Sequence, residues 1–217
     1  MRAAVLEERM MRTRPSLTEI GFFACGALVI VVGWLADFLG IFELGSQPTG
    51  HGSNGTFQLR IFMTMFGVAF AAIGVGFENF PQILEGGVDT KRYIIALLFL
   101  ADGSLHLYAF NDHLGDPFLA TFFAVLSVVQ LAAAFVIPYT RGPLDLAWLA
   151  ITVFLILAYI VTRTIAVWPI GFVEDVEGLG VVSKLVEVLT VLLLWPIVQA
   201  DLVSRRKSLE VGLASDR

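Results

Sequence analysis

Cysteine is almost missing. Cys25 is the only one in 217 residues, so neither an internal disulfide nor a thiolate cluster can form. Charge is scarce too: 15% of the residues are Asp, Glu, Lys or Arg, where a soluble domain carries about 25%. Histidine occurs three times, at His51, His106 and His113. There is no Gly-rich nucleotide loop, no nucleophile elbow and no zinc-protease motif, so the enzyme classes that depend on them are not expected. These scarcities exclude a disulfide scaffold and a nucleic-acid-binding module. An apolar content of 57% excludes a disordered or collagen-like chain.

What is abundant is apolar length. Six stretches, at about 20–42, 61–80, 93–110, 118–137, 146–168 and 179–200, are each long enough, or nearly so, to cross a hydrocarbon core of about 30 Å. The runs are continuously apolar and do not alternate, which favours helices over barrel strands. The expected fold is an all-α, six-span transmembrane bundle forming one integral-membrane domain, with no room for a soluble one.

The punctuation supports these boundaries. Residues 45–55 (GSQPTGHGSNG) read as a polar loop, and Pro117 is placed to open a helix. Pro138 closes the fourth span, Pro143 lies before the fifth and Pro169 ends it. Pro196 predicts a kink in the sixth. Asp102, Gly103 and Ser104 interrupt the third. The first span begins late and lacks a small-residue cleavage site, so it reads as a retained anchor. No internal repeat supports an inverted-repeat transporter.

Charge placement predicts orientation. Eleven Lys and Arg fall outside the spans on the side of both termini: Arg2, Arg9, Arg12, Arg14, Lys91, Arg92, Arg141, Arg205, Arg206, Lys207 and Arg217. The other side has Arg60 alone. The positive-inside rule puts both termini in the cytoplasm of a cell membrane. On the outer side, Glu43, Asp112, Asp116, Glu174, Asp175 and Glu177 against Arg60 give 1 − 6 = −5. Such a face is either ordinary solvated loop or a surface that attracts cations.

Ionisable groups within spans are expensive and point to function. Here they are Asp37, Asp102, His106, Arg163, Lys184 and Glu187, while Glu78 lies near an inner span end. At about 1.5 Å per residue, His106 lies roughly 6 Å below the outer boundary, Asp37, Arg163 and Lys184 roughly 8 Å, and Asp102 and Glu187 about 12 Å. The clustering predicts a polar pocket opening outward.

On the third span, Asp102 and His106 fall on one stripe, and His113 joins it if the helix continues. Asp102 and His106, four apart, can share a proton or a metal ion, or form a helix-orienting hydrogen bond. His113 lies about 10.5 Å beyond His106, so it marks a path or second site unless the helix unwinds. Paired histidines for a two-haem site are lacking, and His51 reads as a polar loop residue. Lys184 and Glu187, three apart, are expected to pair; Lys184 could instead meet Asp37 or an anionic ligand. A protonated His106 would neutralise the layer. Gln130 is expected to hydrogen-bond across helices, and Gly67, Ala71 and Gly74 form a close-packing face for another helix or a partner subunit. Asn54-Gly55-Thr56 reads as an Asn-Gly turn that also fits a glycosylation acceptor.

The segment from His106 through His113-Leu114, with Phe122-Phe123 and Gln130-Leu131-Ala132, resembles a recurrent pattern in multi-pass membrane proteins of bacteria and archaea that have no assigned activity. Residues 179–187, with Lys184 and Glu187, are similar to their last span. The resemblance implies that the third and sixth helices hold the shared polar positions. The Asp102-x3-His106 spacing also resembles ligand spacing in the copper-site helix of copper membrane monooxygenase C subunits, although the downstream histidine spacing differs. It implies copper as a candidate metal, with Asp102, His106 and His113 as candidate ligands.

Three functions follow as expectations. The favoured one is an accessory or structural subunit of a larger respiratory or oxygenase-type complex, with the bilayer and other membrane subunits or its own copies as partners. The second is an outward-facing site for a metal ion or small redox ligand. The third is a small proton-coupled transporter.

Overall fold

The structure, a computed structural model, describes residues 16–42, 54–85 and 87–215. Expectations about Arg2, Arg9, Arg12, Arg14, Glu43, His51, Arg217, the loop at 45–53, and the side chains of Glu78 and Lys207 lie outside what it describes. Six helices follow in order: α1 Leu17–Phe38, α2 Asn54–Glu85, α3 Val88–Asp112, α4 Pro117–Val136, α5 Pro143–Thr162 and α6 Gly178–Ser215. There is no strand among the described residues. All six helices are long and apolar enough to span a membrane.

Local chemistry sets the helix ends. Ser16 Oγ accepts the Glu19 N–H and caps α1. Asp116 Oδ1 accepts from the N–H groups of Phe118 and Leu119, with Pro117 at the first turn of α4. Gly142, at φ +83°, makes the sharp entry to α5, and Pro143 is already the first residue of that helix.

Helix α3 is the centre of the bundle, in contact with α1, α2, α4 and α6. This corrects the reading that Asp102, Gly103 and Ser104 interrupt it: α3 runs unbroken through all three. A helix surrounded by protein need not be apolar all round, because its neighbours satisfy its polar side chains. Ser104 hydroxyl, for example, lies 2.7 Å from that of Thr64 on α2.

Helices α1 and α2 pack closely against each other. The Gly67, Ala71 and Gly74 face is spent on this contact: Gly67 lies against Gly26 and Ile30, and Gly74 against Phe22. Large apolar side chains such as Leu28, Met65, Val128, Leu157 and Leu192 face outward, as lipid contact requires.

Three further boundaries differ from the sequence reading. Helix α2 begins at Asn54, so Asn54-Gly55 is helical rather than a turn, and Arg60 is inside a helix rather than in an outer loop. Helix α5 stops at Thr162, which makes Arg163 its C-cap rather than a mid-span residue, and leaves Pro169 in the following loop. Helix α6 carries Pro196 in its interior, as the sequence reading placed it, and runs on to Ser215 rather than ending near residue 200. Helix α2 breaks its regular geometry at Asn79 (φ −115°, ψ 15°), two residues before Pro81, a residue type that cannot supply a ladder N–H.

A buried clamp closes the opposite end of the bundle. Arg92 on α3 donates to both carboxylate oxygens of Asp145, at 2.9 and 2.5 Å, and to the carbonyls of Ile137 and Thr140. It thereby holds the α4–α5 turn against α3. Nearby, the Tyr139 hydroxyl donates to Glu19. Burial, with that carboxylate beside it, pushes the Tyr139 hydroxyl well above the usual phenol range.

Candidate functional site

The polar layer separates into three groups. The central one joins α3, α4 and α6. Gln130 on α4 donates from its amide nitrogen to Asp102 Oδ2 at 2.5 Å, and its oxygen lies 2.6 Å from His106 Nδ1. Ser183 on α6 donates to the other Asp102 oxygen at 2.7 Å. Lys184 donates to Glu187 Oε1, as the i, i+3 spacing predicts. Asp102, His106, Gln130, Ser183 and Glu187 are each at most 4% exposed.

Carboxylate chemistry decides the hydrogen positions. An ionised Asp102 only accepts, so the Gln130 amide must turn its NH₂ toward it and its oxygen toward His106. His106 Nδ1 is then the donor. In the neutral ring the lone pair is left on Nε2, which faces Glu187 Oε1 at 3.9 Å. Glu187 Oε2 is buried and has no hydrogen-bond partner. The lone pair therefore faces a carboxylate oxygen that Lys184 already holds, beside a second oxygen, Oε2, with no partner, and a gap lined by these acceptors suits a positive charge. Donor atoms from Asp102, His106 and Glu187 all lie within 4.8 Å of one another.

The other two groups take the remaining predicted residues. Asp37 does not reach Lys184. It accepts both guanidinium contacts of Arg60, each at 3.0 Å, and a 2.7 Å bond from Asn111. Arg60 continues to Asp112, at 2.7 Å to each oxygen. Arg163 pairs with Glu174 from the α5–α6 loop. His113 is drawn there too: its Nδ1 donates to the Ala109 carbonyl at 2.7 Å, and its Nε2 lies 3.6 Å from Glu174. Of the three candidate metal ligands, Asp102 and His106 come together, joined by Glu187, while His113 lies apart beside Glu174.

Phe123 joins two of the groups, stacked 5.7 Å from His106 and tilted 4.9 Å from His113. Beside it, a cavity of about 380 Å³ lies between α4 and α5 under the α5–α6 loop, and reaches His106 and Lys184. Asp102 is not among its lining residues.

Sequence reasoning missed Ser183, Arg60 and Glu174 as partners. Arg60 carried a signal, because it immediately precedes an apolar run and faced no other cation on its side. Glu174 carried none, since a loop residue's partner depends on how the loop folds back. No family model, curated protein or solved structure matches the chain.

Proposed function

We propose that this chain is an integral membrane protein with both termini in the cytoplasm, and that its working centre binds a divalent metal cation between Asp102, His106 and Glu187. The excess of Lys and Arg on the terminal side supports the orientation. The observation that supports the cation is the opposed pair at its core, the His106 Nε2 lone pair against a buried Glu187 carboxylate. Gln130 holds the imidazole in the tautomer that presents Nε2, the second-sphere role usual for metal-ligating histidines. Lys184 occupies Glu187 Oε1 and leaves Oε2 for the ion.

The donor set selects the ion class. One imidazole nitrogen and two carboxylates, with no sulfur, suit Zn²⁺ or Cu²⁺ and not Cu⁺. The copper expectation therefore narrows to the oxidised ion. Metal–ligand bonds near 2.1 Å need donor atoms within about 4.2 Å, so small side-chain rotations would close the site.

A proton in the same gap would support a proton-coupled carrier instead. The accessory-subunit reading loses one of its motives, because the Gly67, Ala71 and Gly74 face packs against α1.

Elemental analysis tests the proposal. Wild type, His106→Ala and His113→Ala are purified in mild detergent and loaded with Zn²⁺. About one equivalent in wild type and His113→Ala, lost in His106→Ala, supports it. Equal metal in wild type and His106→Ala overturns it and leaves the proton as the occupant.

A further inference from the structure

The end of the bundle opposite the cation centre holds another buried carboxylate, and this one has no counter-ion. Glu19, in the first turn of α1, is 5% exposed. Its Oε1 accepts from the Tyr139 hydroxyl, and among the described residues no Lys, Arg or His pairs with it. Arg92, the buried cation at the same end, is spent on Asp145. An ionised carboxylate taken out of water is expensive unless a positive charge joins it. A proton would turn one oxygen into a donor that needs an acceptor of its own. Tyr139 does not supply one, because it is already the donor to this group.

Glu19 lines a cavity. Helices α1 and α4 do not pack closely on each other; each rests on α3. Side chains bridge them at this end, with Phe23 edge-on to Phe135 at 5.2 Å and Tyr139 bonded to Glu19. The space between is about 220 Å³, where an apolar cavity of about 150 Å³ holds benzene. It takes one ring with a short arm and is too small for a phospholipid. Phe23, Phe135 and Pro138 wall it, and among the described residues Glu19 is the only charged one in its lining. Ile20 and Phe135, also in the lining, are 42% and 36% exposed, so the cavity opens on the side of the bundle.

From the carboxylate without a counter-ion, the aromatic walls and the room for one ring, we infer that this cavity binds a small organic ammonium ion with an aromatic arm, the arylalkylamine class. The ammonium donates to Glu19, and the ring lies against Phe23 and Phe135. A bare metal ion fits poorly: a hard cation takes about six oxygens or more, and the lining offers one carboxylate and one phenol. The cavity shares no residue with Asp102, His106 and Glu187 and does not depend on them.

Equilibrium dialysis of phenethylamine against the protein in phosphatidylcholine nanodiscs tests the inference, with EDTA present and empty nanodiscs as the blank. Wild type is expected to bind saturably, with one amine per chain. Glu19→Gln removes the charge but keeps an oxygen for Tyr139, and weakens binding about tenfold or more. Ile20→Trp fills the mouth from a partly exposed position and abolishes saturable binding. Phenethyl alcohol, with the same ring and arm but no charge, does not displace the amine from wild type. Where Glu19→Gln fails to fold, Ile20→Trp and the alcohol competition decide the matter. Unsaturable partitioning, unchanged affinity in folded Glu19→Gln or in Ile20→Trp, or displacement by the alcohol overturns the inference.

Discussion

His106 Nδ1 lies 2.6 Å from Gln130 Oε1, across the interface between α3 and α4. Because the same amide donates to Asp102, one side chain sets both the imidazole tautomer and the carboxylate orientation. Gln130→Leu removes both bonds in a dry interior and leaves two buried partners unsatisfied. It is expected to destabilise the protein by about 1–3 kcal/mol. Thermal unfolding in detergent would show a lowered midpoint, whereas an unchanged midpoint would mean that the network does not hold α3 to α4.

Close packing of α1 on α2 makes a second prediction. A Cβ at Gly67 would meet Ile30 Cγ1 at 2.6 Å and the Gly26 carbonyl oxygen at 2.7 Å. The backbone cannot yield cheaply, so Gly67→Ala should cost about 1–3 kcal/mol. Gly21, on the same helix pair, has nothing within 4 Å of its added Cβ. Gly21→Ala should be neutral or stabilising by up to about 1 kcal/mol, through helix propensity. Equal effects at the two positions would contradict this packing.

Two ion pairs from α3, one to the first turn of α5 and one to the α4–α5 turn, should differ sharply. Asp145→Ala leaves Arg92 charged, buried and facing only carbonyls, and is expected to cost about 3–5 kcal/mol. Asp89→Ala breaks the pair with Arg141, whose side chains are 61% and 71% exposed, and should stay within about 1 kcal/mol. Denaturant or thermal unfolding of the two variants side by side checks the ranking.

Much of the architecture was legible in the sequence, because hydrophobic run length is a local property. The six helices, the opening of α4 at Pro117 and the Lys184–Glu187 pair depend on residues close in the chain. The misreadings had one physical origin: what faces a residue is a tertiary fact. Asp102, Gly103 and Ser104 looked like a break only on the assumption that α3 meets lipid. Arg60 looked like a loop charge because its partners, Asp37 and Asp112, lie 23 and 52 positions away in sequence.

The same limit explains the site. Periodicity placed Asp102 and His106 on one stripe of α3, with His113 added if the helix continued; the helix ends at Asp112, and His113 is its C-cap. Periodicity could not say that α6 presents Glu187 and Ser183 to the middle of α3, or that the α5–α6 loop brings Glu174 to its end. His113 was therefore grouped with His106 along one helix, whereas the packing pairs it with Glu174 and gives His106 a partner from α6.

The central claim, a cation between His106 and Glu187, is tested most directly by titrating the purified protein with Co²⁺ and reading the visible absorption of the bound ion. The account predicts a ligand-field band that saturates at about one equivalent. The band should persist in His113→Ala and vanish in both His106→Ala and Glu187→Gln. A band of equal strength in Glu187→Gln, or no saturable band in wild type, would contradict it.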